Sequence, residues 1–348
     1  MSTTEKFGRS IRVYLQTGGQ TVQLVDWRDG LPVRKLGTNN ISLKCSFTVR
    51  RSTNPQPHEC DLSIWGLSRE TRESLIRAYE EAEDVSWKKR EALALGKIRI
   101  DAGYGTDVAT LFVGDLAPDG VRAEPQRPGH VMHLRALDGR IAWRGKFVNR
   151  TTSKNVDINT IRGVLASGSD YTAGKDADLS FERNFPSLVK KKKGFPGYES
   201  GYAIFGESRK HNQTLCDTLG IVPIFQDGEI RYMSKDIALL DTAVVLSAGR
   251  DASGRPGLLL AAQPMGLGRY RVSTLMEHRL RPGRQVFLYD EIGRPIGVGV
   301  FRVESMVATG TNRGQAFHVD ADLVSTALPP VATNLRPYQG PDSVPVGV

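Results

Sequence analysis

Ile41-Ser42-Leu43-Lys44-Cys45-Ser46-Phe47-Thr48-Val49 alternates apolar and polar side chains for nine residues. That is the period of a strand with one buried face and one wet face. Asn54-Pro55 turns the chain, and Cys60-Asp61-Leu62-Ser63-Ile64-Trp65 resumes the alternation. Upstream, Ser10 to Leu15 and Thr21 to Val25 read the same way on either side of Gly18-Gly19. Downstream, Gly66-Leu67-Ser68 opens a helix. Ser68 is placed to cap its free N–H groups, Glu70 sits in the first turn, and Leu75, Ile76, Tyr79 and Ala82 share a face. The mixed charges running on to Arg90 read as a solvated face. Strands return at Lys97 to Ile100, Thr110 to Val113 and His130 to Leu134. Residues 1–148 therefore predict a β-barrel or sandwich with one inserted helix.

The texture then changes. Ile158 to Ala166 predicts a short helix and Glu207 to Leu219 another. Asp227-Gly228 between Ile221 to Phe225 and Glu229 to Met233 is a hairpin signal, because both central residues of such a turn need positive φ. A small α+β unit is expected over 149–245. Strands follow at Gly257 to Ala262, Tyr270 to Met276, Gln285 to Tyr289, Ile296 to Glu304 and Ala316 to Asp322, giving a second β unit over 246–327. Residues 328–348 hold five prolines and two charges, which predicts an extended tail. The two β units echo each other. Gly96-Lys97 matches Gly283-Arg284 at an offset of 187, His130-Val131 matches His318-Val319 at 188, and Phe112 matches Phe301 at 189. A nearly constant offset over three strand-sized blocks is what two copies of one β unit produce.

Composition narrows the function classes. The 348 residues are 39% hydrophobic and 24% charged, which excludes a polar disordered chain. Thirty-six glycines and 18 prolines favour many turns and hence strands. No apolar run approaches the ~18 residues of a membrane-spanning helix, and Met1 to Lys6 lacks the apolar core of a secretory signal. A soluble chain made in the cytosol, without membrane insertion, is expected. Net charge is +9, much of it between Arg183 and His211, where seven Lys and Arg face two Glu. Cys45, Cys60 and Cys216 have no metal-ligand spacing and are expected as reduced thiols.

No catalytic signature emerges from the residues. Gly139 to Lys146 has the wrong spacing for a phosphate loop and Phe147 where the hydroxyl must stand. His58-Glu59 lacks the second histidine of a zinc helix, and His130 and His133, three apart on a strand, point to opposite faces. Asp176 with Asp178, and Asp320 with Asp322, are spaced for paired carboxylates, yet they read as solvated turn and strand-end groups. No catalytic, cofactor-binding or metal site is expected. Lys190-Lys191-Lys192-Lys193, beside Phe195, Tyr198 and Tyr202, is the sharpest local feature, an interface or polyanion contact against the plainer reading of a solvated loop.

Four stretches in order resemble the baseplate hub proteins of bacteriophage tails, especially Mu-like contractile ones. Asn54-Pro55 with Leu62-Ser63-Ile64-Trp65-Gly66-Leu67-Ser68-Arg69-Glu70-Thr71-Arg72 is similar to that family's strand, bend and helix, with Gly66 for the usual Asn. Ile100-Asp101-Ala102-Gly103-Tyr104-Gly105 with Leu111-Phe112-Val113-Gly114-Asp115-Leu116 resembles its next strand pair. Gly206 through the Ile230 hairpin resembles its middle domain. Gly257-Leu258-Leu259 to Pro264, then Leu275-Met276-Glu277-His278-Arg279-Leu280-Arg281-Pro282-Gly283, resembles its last motif, with Glu277-His278 for Asn-Pro.

The resemblance implies a mainly β chain with α+β: two tail-tube-like β-barrel or sandwich domains flanking a small α+β domain. It implies a structural, non-enzymatic hub in the virion baseplate. The partners it implies are two further copies in a homotrimeric, pseudo-sixfold ring, the tail tube or tube-initiator protein, the central spike, other baseplate and wedge proteins, and passing DNA. Two other readings compete: a tail-tip hydrolase acting on the cell envelope, and a polyanion- or DNA-binding module using Lys190–Lys193.

Overall fold

The structure is a computed structural model. It describes residues 8–17, 20–29, 35–36, 39–40, 43–54, 56–83, 96–105, 107–126, 129–138, 147–154, 158–168, 172–173, 201–219, 221–234, 239–249 and 257–326. Lys190–Lys193, Asp176, Asp178, the charged stretch before Arg90 and the tail from 328 lie outside these residues.

The first unit contains β1 (Arg9–Thr17), β2 (Gln20–Arg28), β3 (Lys35–Leu36), β4 (Asn39–Asn40), β5 (Lys44–Ser52), β6 (His58–Trp65), α1 (Arg69–Glu83), β7 (Lys97–Tyr104), β8 (Asp107–Pro125) and β9 (His130–Asp138). The middle holds β10 (Phe147–Thr151), α2 (Ile158–Gly168), β11 (Thr172–Ala173), β12 (Ala203–Glu207), α3 (Ser208–Leu219), β13 (Ile221–Gln226) and β14 (Glu229–Ser234). Then come β15 (Leu239–Ser247), β16 (Leu259–Gly266), β17 (Arg269–Leu275), β18 (Arg284–Tyr289), β19 (Pro295–Thr311) and β20 (Phe317–Ser325). The chain is mainly β with a small α+β part. β10 and β15 each run across a boundary expected from the sequence, at 148/149 and 245/246.

From Lys44 on, the alternating stretch forms β5 and keeps its pattern: Cys45, Phe47 and Val49 are buried, Lys44 is exposed, and Ser46 and Thr48 are half-buried, while Ile41 and Ser42 lie outside the described residues. β5 pairs β6 with Phe47 opposite Leu62 and Val49 opposite Cys60. Ser68 caps α1 as expected, its Oγ accepting from the Thr71 N–H at 3.1 Å. α1 packs against β8, with Leu75 in the apolar core.

The two β units share one sheet. Its path runs β16-β17-β20-β19-β5-β6-β9-β8-β7-β1-β2, with β15 and β18 branching from β19. Within it lie two runs of the same order, β5-β6-β9-β8-β7-β1 and β16-β17-β20-β19-β18-β15. β7 and β18 start 187 residues apart, as do β9 and β20, each of nine residues. The repeat read from three short matches is a repeat of strand order. Its last members differ in sense, since β1 is antiparallel to β7 whereas β15 is parallel to β18.

Both units are built on a long strand that changes partner halfway. β8 pairs β7 through Asp107 to Asp115, and β9 through Asp115 to Pro125, with an irregularity between Leu116 and Val121. β19 pairs β18 with its first half, then β5 with Ser305 to Thr311 along the same edge. The sequence shortens both strands, because Gly114, Pro118 and Gly120 in one, and Gly297 and Gly299 in the other, interrupt the alternation. The β5–β19 joint fuses the units inside one chain and merges their cores: Phe47, Phe112, Phe301 and Phe317 belong to one apolar cluster. At the joint the Phe47 ring lies on Gly310, where an added Cβ would come within 2.3 Å of Phe47 Cζ.

The middle part has its own core of Val148, Ile161, Leu165, Ile204, Leu215, Phe225, Ile230 and Tyr232 among others. Its β13–β14 hairpin turns at Asp227 (φ 53°) and Gly228 (φ 83°), the positive-φ pair that Asp-Gly predicts.

Candidate functional site: a buried ionic junction

The hairpin turn does more than reverse the chain. Asp227 enters the β body and meets charged groups from both β units. On β5, Arg51 donates from Nη2 to Asp227 Oδ1 at 2.8 Å, its own side chain 1% exposed. From the second unit, Arg281 pairs through Nη1 with Asp227 Oδ2. The Arg281 Nη2 also donates to the Thr110 carbonyl on β8 at 3.0 Å. Asp138, at the end of β9, accepts the Asp227 backbone N–H at 2.7 Å. His58 on β6 lies beside it, Nδ1 4.0 Å from Asp138 Oδ2 and Nε2 3.0 Å from the Ser52 carbonyl. The Arg51 guanidinium also stands 5.7 Å from the centre of the Phe112 ring.

Burial sets the protonation states. It lowers Arg281 to about 9, reinforced by repulsion from Arg51 and Arg284 and opposed by Asp138. Burial lowers Arg51 too, again opposed by Asp138. His58 falls to about 3, first by burial and then by the Arg51 charge. It is therefore neutral near pH 7, with the Nε2 proton assigned toward the Ser52 carbonyl because that oxygen can only accept. Arg51 and Arg281 then face Asp227 and Asp138, with the neutral His58 beside Asp138. Removing one member of such a set leaves a buried charge uncompensated, which makes the junction a lock between three parts of the chain.

A second local device supports Arg281. Burial alone would raise the Glu277 carboxyl. Arg279, donating from Nε (2.8 Å), Nη2 (2.7 Å) and its backbone N–H (2.9 Å), holds it below its ordinary value instead. Glu277-His278, where the resembled family has Asn-Pro, thus keeps a fixed turn by a carboxylate–guanidinium pair.

The other sequence candidates fall elsewhere. His133 meets Ser63 Oγ at 2.9 Å and Glu124 at 3.5 Å, while His130, the first residue of the strand, is exposed. Asp322 is held by Arg271 and Ser305, and Asp320 by Ser273 and His318, all cross-strand or neighbouring side chains. The three cysteines are buried, reduced thiols, with burial pushing the Cys45 thiol up to about 12. Among the described residues no group of three or more His, Cys, Asp and Glu gathers as a metal site. No described helix is long and apolar enough to cross a membrane.

Sequence reasoning singled out Asp227-Gly228 as a turn and His58 as a rejected zinc ligand, and it missed that they share a site. Arg51, Asp138 and Arg281 carry no local pattern. The one available signal was charge at positions of β5 and β9 where strand alternation places a buried side chain.

Comparison with known proteins points the same way as the resemblance read from the sequence. Residues 29–184 match the family described as baseplate hub gp41. No curated protein sequence matches. Among solved structures, the chain is similar to the tail protein from Neisseria meningitidis MC58 at 11% identity and TM-score 0.48, covering 92% of this chain and 97% of that one. It is similar to the prophage MuSo2 43 kDa tail protein from Shewanella oneidensis at 10% identity and TM-score 0.47, covering 90% and 96%. The E. coli c3393 protein, a component of the type VI secretion system, aligns at 9% identity and TM-score 0.47, covering 91% and 80%.

Proposed function

We propose that this chain is a structural hub of a phage tail baseplate, a homotrimer whose six β units form a pseudo-sixfold ring. The observation that carries the reading is the repeat of strand order within one sheet, and the baseplate hub family match supports the setting. Two similar units per chain become six positions when three chains close head to tail, and heterologous contacts propagate until the rotation closes. Such a ring meets a sixfold tail tube or its initiator on one side and a threefold central spike on the other, with further baseplate and wedge proteins around it. The work is done by interfaces, and the role is structural rather than enzymatic. The ionic junction around Asp227 holds the middle unit in a fixed relation to both β units, as a load-transmitting ring requires.

Within this reading the chain divides at 1–148, 149–245, 246–327 and a tail from 328, and Lys190–Lys193 faces a neighbouring subunit or DNA passing through the ring. Electron microscopy of assembled tails tests it. Three copies with alternating units are expected, and six or twelve copies overturn it.

A further inference from the structure

Inside the chain the β5–β19 joint shows how one unit receives the next. The Thr53 N–H donates to the Glu304 carbonyl and the Asn312 N–H to that of Cys45. Odd residues of β5 therefore face even residues of β19, with Val49 opposite Ala308 and Phe47 opposite Gly310. Each unit has a second copy of these edges. β16 holds in the second unit the place that β5 holds in the first, and the end of β8 holds the place of the end of β19. β16 pairs only with β17, and the end of β8 only with β9, among the described strands.

The equivalence can be followed residue by residue through the partner strands. Phe47 pairs Leu62 and Leu62 pairs Leu134, as Ala262 pairs Val272 and Val272 pairs Ala321. Ala262 thus stands for Phe47, and Pro264 for Val49. Ala308 pairs Val319 and Gly310 pairs Phe317, as Ala123 pairs Met132 and Pro125 pairs His130. Ala123 thus stands for Ala308, and Pro125 for Gly310. The backbone points the right way as well. The Gln126 N–H donates inward to the Gly129 carbonyl, which turns Ala123 and Pro125 to the open side. The Leu275 N–H donates to the Leu258 carbonyl, so the odd residues of β17 face β16. Past the register shift between Leu259 and Ala261 they meet Ala261 and Gln263, which turns Ala262 and Pro264 to the open side.

We infer that the open edge of β16 takes the end of β8 from a second copy of this chain, with Ala262 opposite Pro125 and Pro264 opposite Ala123. The joint depends on the ring reading only for its copy number. A second copy is the fitting occupant because each chain carries both complementary edges and already forms their equivalent within itself. Leu260, Met265 and Leu267, all exposed, flank the β16 edge with apolar surface that such a partner would cover. The two prolines set its strength. Proline has no N–H, so each pair keeps one of its two ladder bonds: Ala262 donates to Pro125, and Ala123 donates to Pro264. The copy-to-copy joint is therefore weaker than the one within the chain, and the free edges are guarded against indiscriminate strand addition.

Glu124 stands opposite Gln263 in this register, at a non-hydrogen-bonded pair whose Cα separation of ~4.5 Å admits a disulfide. Assembled tails carrying Glu124→Cys and Gln263→Cys are treated with copper phenanthroline, the native thiols being buried. A covalent series ending at three chains is expected, and none when Val22→Cys on β2 replaces the Gln263 change. Absence of the 124–263 link in tails holding three copies overturns the joint and leaves the ring standing. The link in tails of another copy number keeps the joint and overturns the ring. Pro125→Ala with Pro264→Ala restores two donors and should tighten self-association of purified protein by roughly tenfold or more. Unchanged association at every concentration overturns the role given to the prolines.

Discussion

His58 gives the junction a pH dependence whose size follows from its burial. Its side chain is 1% exposed, and its pKa falls from 6.5 to about 3 through desolvation and the facing Arg51 charge. Because the folded value lies below the unfolded one, the unfolded chain takes up the proton first. Stability is therefore fully present above pH ~6.5 and is lost as pH falls toward 3, at about 1.4 kcal/mol per unit. By pH 5 the loss is ~2 kcal/mol, and the whole window is worth ~5 kcal/mol. His58→Gln removes the titration while leaving an amide that can donate to the Ser52 carbonyl. Urea unfolding of both proteins between pH 8 and pH 4.5 isolates the histidine, since all other titrating groups are shared. The wild-type midpoint should fall more steeply than that of the variant below pH 6.5. Parallel curves would refute the argument, and with it the neutral state assigned to His58.

Asp227→Asn keeps a residue that tolerates positive φ but leaves Arg51 and Arg281 facing each other, so ~3 kcal/mol of stability should be lost by urea titration. Gly310→Ala drives a methyl group into the Phe47 ring and should cost about 1–3 kcal/mol, partly recovered when Phe47→Leu is added. Neutralising Lys190, Lys191, Lys192 and Lys193 together should leave the unfolding midpoint in place and lower the yield of infectious particles, which a plaque assay reads. Ending the chain after Leu328 should leave the melting temperature within a degree or two, because five prolines without an apolar period offer little to bury.

What the sequence determined by itself was everything set by near neighbours along the chain. Strand alternation in β5, β6 and β9, the Ser68 cap, the Asp227-Gly228 turn and the 187-residue echo all depend on residues a few positions apart, or on comparing one stretch with another. The tertiary structure decided how those pieces meet. That β5 joins β19, fusing two units into one sheet, is invisible in either strand, because an edge carries the same alternation whether or not it is paired. The full length of β8 and β19 is not legible locally, because glycine and proline at a bend look like a strand end. The ionic junction lay furthest from view. Arg51, His58, Asp138, Asp227 and Arg281 come from five separate segments, and only folding brings their charges into a space dry enough to couple them.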